Sequence, residues 1–158
     1  SGNQGITSSV PVIVCARATG RSHEELLRAL AVANLVTIHL KTGIGRLSAY
    51  CGAVSAGCGA AAGLAYLQGG DYDTVAHTVV NTVAMDSGII CDGAKASCAA
   101  KIAAAVDAGL LGLAMYRSGN QFFGGDGIVE NTIANVGRLA RLGMAQTDKQ
   151  IIQLMMES

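Results

Sequence analysis

Five residues have the type and spacing to do chemistry: Cys15, Cys51, Cys58, Cys91 and Cys98. Cys51 and Cys58 are seven apart, as are Cys91 and Cys98. Seven residues is close to two helical turns, so each pair could occupy one face of a helix. On spacing alone, two readings stand side by side. Four thiolates between two helices would form a soft-donor site for zinc or an iron–sulfur cluster. Alternatively, each Cys is a small buried hydrophobe in a tight core. The separation matches neither the usual paired zinc ligands nor the ferredoxin runs.

The surroundings of Cys91 add weight to the first reading. Cys91-Asp92-Gly93-Ala94 reads as a helix start, where unpaired N–H groups and the helix dipole favour anions. Such a position lowers a thiol's pKa and stabilises a thiolate. Asp92 suits an N-cap. Lys95, in the first turn, could face an anion, and Lys101 adds further positive charge. An odd number of Cys with no secretory pattern fits a reducing, cytoplasmic compartment better than a disulfide framework.

The elements that must position these residues read as almost wholly helical. An apolar segment over 5–18 is broken or started near Pro11 and ends at Gly20. Ser22 with Glu25 forms a capping box that opens a helix running to about Leu40. Residues 41–45 read as a turn. A third helix runs from about Arg46 to Leu67, and a fourth from Asp71 or Asp73 to about Met85. A loop over 86–93 leads to a fifth helix, Ala94 to Tyr116, with Gly109 as a point of interruption. A polar, Gly-rich stretch over 117–127 follows. A sixth helix spans about Ile128 to Leu142, and Thr147 with Gln150 caps a short last one. The expectation is a single compact all-α domain, 1–158, of about six to seven helices.

Composition narrows the function classes. Hydrophobic residues make up 51% and charged residues only 14%, so part of the surface is expected to pack against another domain or a second copy, as a homo-oligomer. Aromatics are 4% against 21 glycines, which implies a Gly/Ala-rich core with close helix approach. The net charge is zero with no Lys/Arg stripe, which argues against nucleic acid as a partner. Ala49 to Gln68 carries no charge, but its Ala, Gly, Ser and Cys content drives membrane insertion weakly, so no membrane partner is expected.

Gly-Ile-Ile-Cys-Asp-Gly-Ala-Lys-Ala-Ser-Cys-Ala over 88–99 resembles the cluster-binding signature of the L-cysteine desulfidase family, relatives of the α chain of iron–sulfur L-serine dehydratases. Arg46-Leu-Ser-Ala-Tyr-Cys-Gly-Ala, followed by Gly59-Ala-Ala-Ala-Gly63, resembles a second motif of that family. The opening Ser1-Gly-Asn-Gln-Gly-Ile6 resembles a third, and Thr147 to Met155 the family's C-terminal end. The resemblance covers the whole chain but only the C-terminal portion of the longer family members.

The resemblance implies a 4Fe-4S cluster on Cys51, Cys91 and Cys98, and releases Cys58 and Cys15 to structural roles. It implies a lyase independent of pyridoxal phosphate. Such an enzyme eliminates hydrogen sulfide from L-cysteine, or water from L-serine, to give pyruvate and ammonia. Three thiolates leave one iron open to act as a Lewis acid. For the small amino-acid substrate, Ser1, Gly2, Asn3 and Gln4 are expected to present backbone N–H groups, with Arg46 and Lys95 as cationic partners. The catalytic base is expected outside this chain, in a missing N-terminal domain, so the chain alone is expected to be inactive. The competing expectation is a non-catalytic metal-binding or helix-packing module that uses all four paired cysteines.

Overall fold

The structure, a computed structural model, describes residues 2–45, 48, 50–91, 93–126, 149, 150, 153 and 156. Five helices run in order: α1 Gly2–Ala18, α2 His23–Ile44, α3 Gly52–Leu67, α4 Tyr72–Asp86 and α5 Ser97–Arg117. The fold is all-α, as expected. Among the described residues there are five long helices rather than six or seven, with helical residues also at 149, 150, 153 and 156. The expected helix over 128–142 and Thr147 of the last capping box lie outside the described residues.

α3 is the centre of the bundle and packs against each of the other four helices. Every one of its 16 residues except Gly52, Val54 and Tyr66 is buried. The uncharged run that raised a membrane question is therefore the core helix. α5 is long and apolar enough to cross a membrane by length and composition, and it leaves Leu110 and Leu111 exposed. Two core clusters meet on α3. One joins Val12 and Ala16 of α1 with Ala29, Ala33, Leu64 and Leu67. The other joins Leu40, Cys58, Ala62, Val79 and Val83.

Small side chains let α5 sit close on α3. A Cβ at Gly57 would lie 2.7 Å from both the Cβ and the carbonyl oxygen of Ala105. A Cβ at Gly109 would lie 2.7 Å from Ala61 Cβ. Gly109 is thus a packing contact, and α5 runs through it without the expected interruption. Likewise α1 continues through Pro11, which lacks only the one N–H that would have bonded residue 7.

Local chemistry explains the helix starts. Glu25 N–H donates to Ser22 Oγ at 3.2 Å while Ser22 N–H donates to Glu25 Oε2 at 2.8 Å, the reciprocal pair expected from the sequence. Asp71 accepts from Thr74 N–H at 2.9 Å at the head of α4. Three boundaries differ from expectation. α2 extends to Ile44, burying Leu40, Gly43 and Ile44, and ends only at Gly45, whose φ of +85° suits glycine. α3 begins at Gly52 instead of Arg46, because Tyr50 forms an isolated antiparallel bridge with Ile90. α5 begins at Ser97 instead of Ala94, after Gly93 at φ +85°.

Candidate functional site

Two loops meet where α3 and α5 start. The Tyr50–Ile90 bridge places residues 50–51 alongside 89–91, and Cys51 N–H donates to Ile89 O at 3.0 Å. Cys51 is the N-cap of α3 and is buried. Cys91 follows Ile90 in the loop, half-buried. Cys98 lies in the first turn of α5, also half-buried, and its Sγ donates to Gly93 O at 3.0 Å. Three thiols thus converge from two helix starts and one loop.

Their electrostatics show the proximity. Burial pushes the Cys51 thiol up, and the Ala53 N–H opposes that rise. Cys91 and Cys98 also raise it, while the Lys101 ammonium lowers it. Lys101 sits one turn beyond Cys98 and donates from Nζ to Ile90 O at 2.9 Å, so a cation is fixed beside the thiols. No group of three His, Cys, Asp or Glu side chains among the described residues is close enough to hold a single metal ion.

The seven-residue spacing misleads at one of the two pairs. Cys91 lies in a loop, so it shares no helix face with Cys98. The helix start expected to favour a thiolate at Cys91 belongs instead to Cys51 and Cys98. Cys58 is on α3, two turns beyond Cys51, with no exposure at all. Burial pushes its thiol far above the ordinary range, and nearby Asp86 adds to the rise. Cys15 packs beside the first core cluster. Among the histidines, His77 stacks on Tyr116 with ring centroids 5.1 Å apart, and His39 is exposed.

The expected substrate residues separate. Ser1, Arg46 and Asp92 lie outside the described residues. Gly2, Asn3 and Gln4 form the first turn of α1 itself and not a loop before it. Gly2 and Asn3 are exposed, and Asn3 O accepts from Thr7 Oγ1 at 2.6 Å. Gln4 is the one brought to the thiols. Its side chain lies directly on Gly52, next to Cys51, so that a Cβ there would overlap Gln4 Nε2 and lie 2.7 Å from its Cδ. Lys95 is exposed on the loop before α5.

Two residues near this site had no place among the expected ligands. Lys101 was legible as the i+3 neighbour of Cys98 on a helix face. Lys41 was obscured by reading 41–45 as a turn. It lines a groove of about 530 Å³ with Gln4, Thr37, Ile38, Thr42 and Gly45.

The family model described as serine dehydratase alpha chain matches residues 1–153. A UPF0597 protein of Desulfitobacterium hafniense is 63% identical across 99% of this chain and 37% of its own length. UPF0597 proteins of Treponema denticola and Lachnoclostridium phytofermentans are 55% and 51% identical, each across 99% of this chain. The chain therefore spans little more than a third of these curated relatives, at 37% and 38% of the two latter. No solved structure matches it.

Proposed function

The chain belongs to the serine dehydratase alpha chain family, and on that premise we propose that it is the cluster-holding part of an iron–sulfur amino-acid lyase. The observation that carries the reading is the convergence of Cys51, Cys91 and Cys98 beside Lys101. The donor set fits a 4Fe-4S group. Three soft thiolates, from Cys51, Cys91 and Cys98, would hold it, two of them at helix starts that favour negative charge, and the Lys101 ammonium would offset part of that charge. When bound, such a cluster supplies an open iron as a Lewis acid toward a small amino acid.

The chain's own residues have definite tasks in this reading. The backbone bond from Cys51 to Ile89 O ties the two ligand loops together. Cys51 is buried, and the Gln4 side chain lies on its neighbour Gly52, so little water reaches the ligand residue. Lys101 holds positive charge where the thiolates gather. The reaction is elimination of sulfide from L-cysteine or water from L-serine, with pyruvate and ammonia as products. The base that takes the α-proton lies in the remaining length of the family-sized protein, in the same soluble, cytoplasmic setting.

Anaerobic reconstitution with iron and sulfide tests this. Broad visible absorbance is expected in the parent and in Cys58→Ala, and is lost in Cys51→Ala, Cys91→Ala and Cys98→Ala. Equal loss in Cys58→Ala would overturn the ligand assignment. Sulfide release from L-cysteine and pyruvate formation from L-serine, measured anaerobically on the family-length protein, separate the two substrates.

A further inference from the structure

We propose that the outer face of α5 is the seat of a helix from the remaining length of the family-length protein, one that is apolar on its contact face and brings a Lys or Arg to Asp107. The proposal rests on family membership and stands apart from the lyase reading. It starts from a mismatch between composition and burial. Residues 102–116 carry a single charge, Asp107, and a helix apolar on nearly all sides belongs in an interior. α3 is buried in that way, with only Gly52, Val54 and Tyr66 short of it. In α5, by contrast, only 22% of the apolar 18-residue stretch is buried. Its buried residues Ala105, Gly109 and Gly112 occupy one side, against α3 and α4. At about 3.6 residues per turn, the exposed Ala100, Ala103, Leu110, Leu111 and Ala114 fall on the opposite side, within an arc of roughly 100° that has Asp107 near its centre.

Asp107 decides what covers this face. It is exposed and makes no ion pair among the described residues. It stands midway along α5, the depth at which a bilayer tolerates a carboxylate least, so lipid is a poor occupant. A second copy docked through the centre of this face about a two-fold axis would bring two Asp107 carboxylates together, and like charges repel strongly in a contact that excludes water. The rest of the polypeptide meets neither objection. The chain spans 37% of a relative 63% identical to it, so most of a family-length protein lies outside these residues. An alanine-rich face lets a helix come close, as α3 does where Gly57 meets Ala105. A basic residue opposite Asp107 would pair with its charge as the contact excludes water. Because α5 also carries Cys98 and Lys101, the covering helix would brace the element that positions them.

Carbene footprinting of the family-length protein tests this, because trypsin releases residues 102–117 as one peptide. Labelling of that peptide is expected to be about fivefold lower in the native protein than in urea, as for the core of an interface. Asp107→Lys is expected to raise the native labelling about threefold by like-charge repulsion, while the peptide 47–95, which contains α3, stays at the parent's level. Asp107→Glu, which keeps the charge, is expected to stay close to the parent. A photo-crosslinker in place of Leu111, Leu111→p-benzoylphenylalanine, is expected to join α5 to a peptide of the same chain outside residues 1–158. Labelling of 102–117 as high in the native protein as in urea would overturn the proposal. So would a cross-link to a second copy or to residues 1–158, or protection that appears only with added phosphatidylcholine vesicles. Unchanged labelling in Asp107→Lys would overturn it as well, since the occupant would then bring no cation.

Discussion

Replacing Gly57 by Ala probes the contact that sets the distance between the two ligand-bearing helices. The new Cβ would lie 2.7 Å from Ala105 Cβ and from Ala105 O, and 2.8 Å from the carbonyl carbon. Ordinary contact starts at 3.4 Å, so α5 must retreat by about 0.7 Å. No rotamer can yield, because every contacted atom is backbone or Cβ. Overpacking of this kind costs about 1–3 kcal/mol, and a backbone clash belongs in the upper half of that range. Alanine returns about 1 kcal/mol through its better helix propensity. The net is a loss of about 1–2 kcal/mol, or roughly 2–8 °C in Tm for a domain of this size. Gly5→Ala is the control: nothing lies within 4 Å of its Cβ, so only the propensity gain of about 0.5–1 kcal/mol remains. Thermal unfolding followed by far-ultraviolet circular dichroism should therefore move in opposite directions for the two variants. Ala105→Gly in the Gly57→Ala background should recover only part of the loss, since the carbonyl contact persists. The Gly57–Ala105 contact also lies about two turns above Cys51 and Cys98, so Gly57→Ala should lower the iron content after reconstitution. A Gly57→Ala variant as stable as Gly5→Ala would refute the reasoning.

Asn81 is fully buried, donates to Gly112 O at 3.1 Å and accepts from Phe122 N–H at 3.0 Å, so Asn81→Ala should cost about 2–4 kcal/mol in urea unfolding by leaving both groups unpaired. Asn81→Asp should also destabilise, since it keeps the acceptor and loses the donor. Cys58, with no exposure and a thiol held far above its ordinary range by burial, should resist iodoacetamide in the native protein. Half-buried Cys91 and Cys98 should react first by mass mapping, and labelling of Cys58 ahead of them would contradict the packing of α3. Hydrogen bonds from Ser22 hold Glu25 below its ordinary pKa, and those from Thr74 do the same for Asp71. A carboxyl lowered on folding contributes stability above its unfolded value, about pH 4, and loses it as pH falls through the folded value. Helix content should thus drop below about pH 4, and less steeply in a Glu25→Gln, Asp71→Asn double variant.

Much of the fold was legible because its signals are local. The Ser22–Glu25 box and the Asp71 cap are side-chain-to-backbone pairings within one turn, and they placed two helix starts correctly. What was missed is non-local. The Tyr50–Ile90 bridge joins residues forty apart in sequence, and it is this bridge that delays α3 to Gly52 and ties the loop carrying Cys91, a loop expected from the sequence, to the start of α3. A seven-residue periodicity carries no information about such a pairing, so two apparently equivalent Cys pairs could not be told apart by spacing. The end of α2 failed for a related reason. Gly43 and Gly45 read locally as a turn, yet extending the helix buries Leu40 and Ile44, and that gain overrides glycine's weak propensity.

The consequence for the site is direct. Extension of α2 is what brings Lys41 onto a helix facing the groove, and the late start of α3 is what puts Cys51 at an N-cap rather than mid-helix. Both departures come from tertiary contacts, and both place a chemically active side chain at a helix end. The interior of α3 and α5 carries small residues that fix how close those ends can come. The residues that would do chemistry and the residues that set their spacing are therefore different sets on the same two helices. That division predicts how substitutions sort. Changes at Cys51, Cys98 or Lys101 should alter cluster content with little effect on unfolding, whereas changes at Gly57 or Gly109 should alter both together.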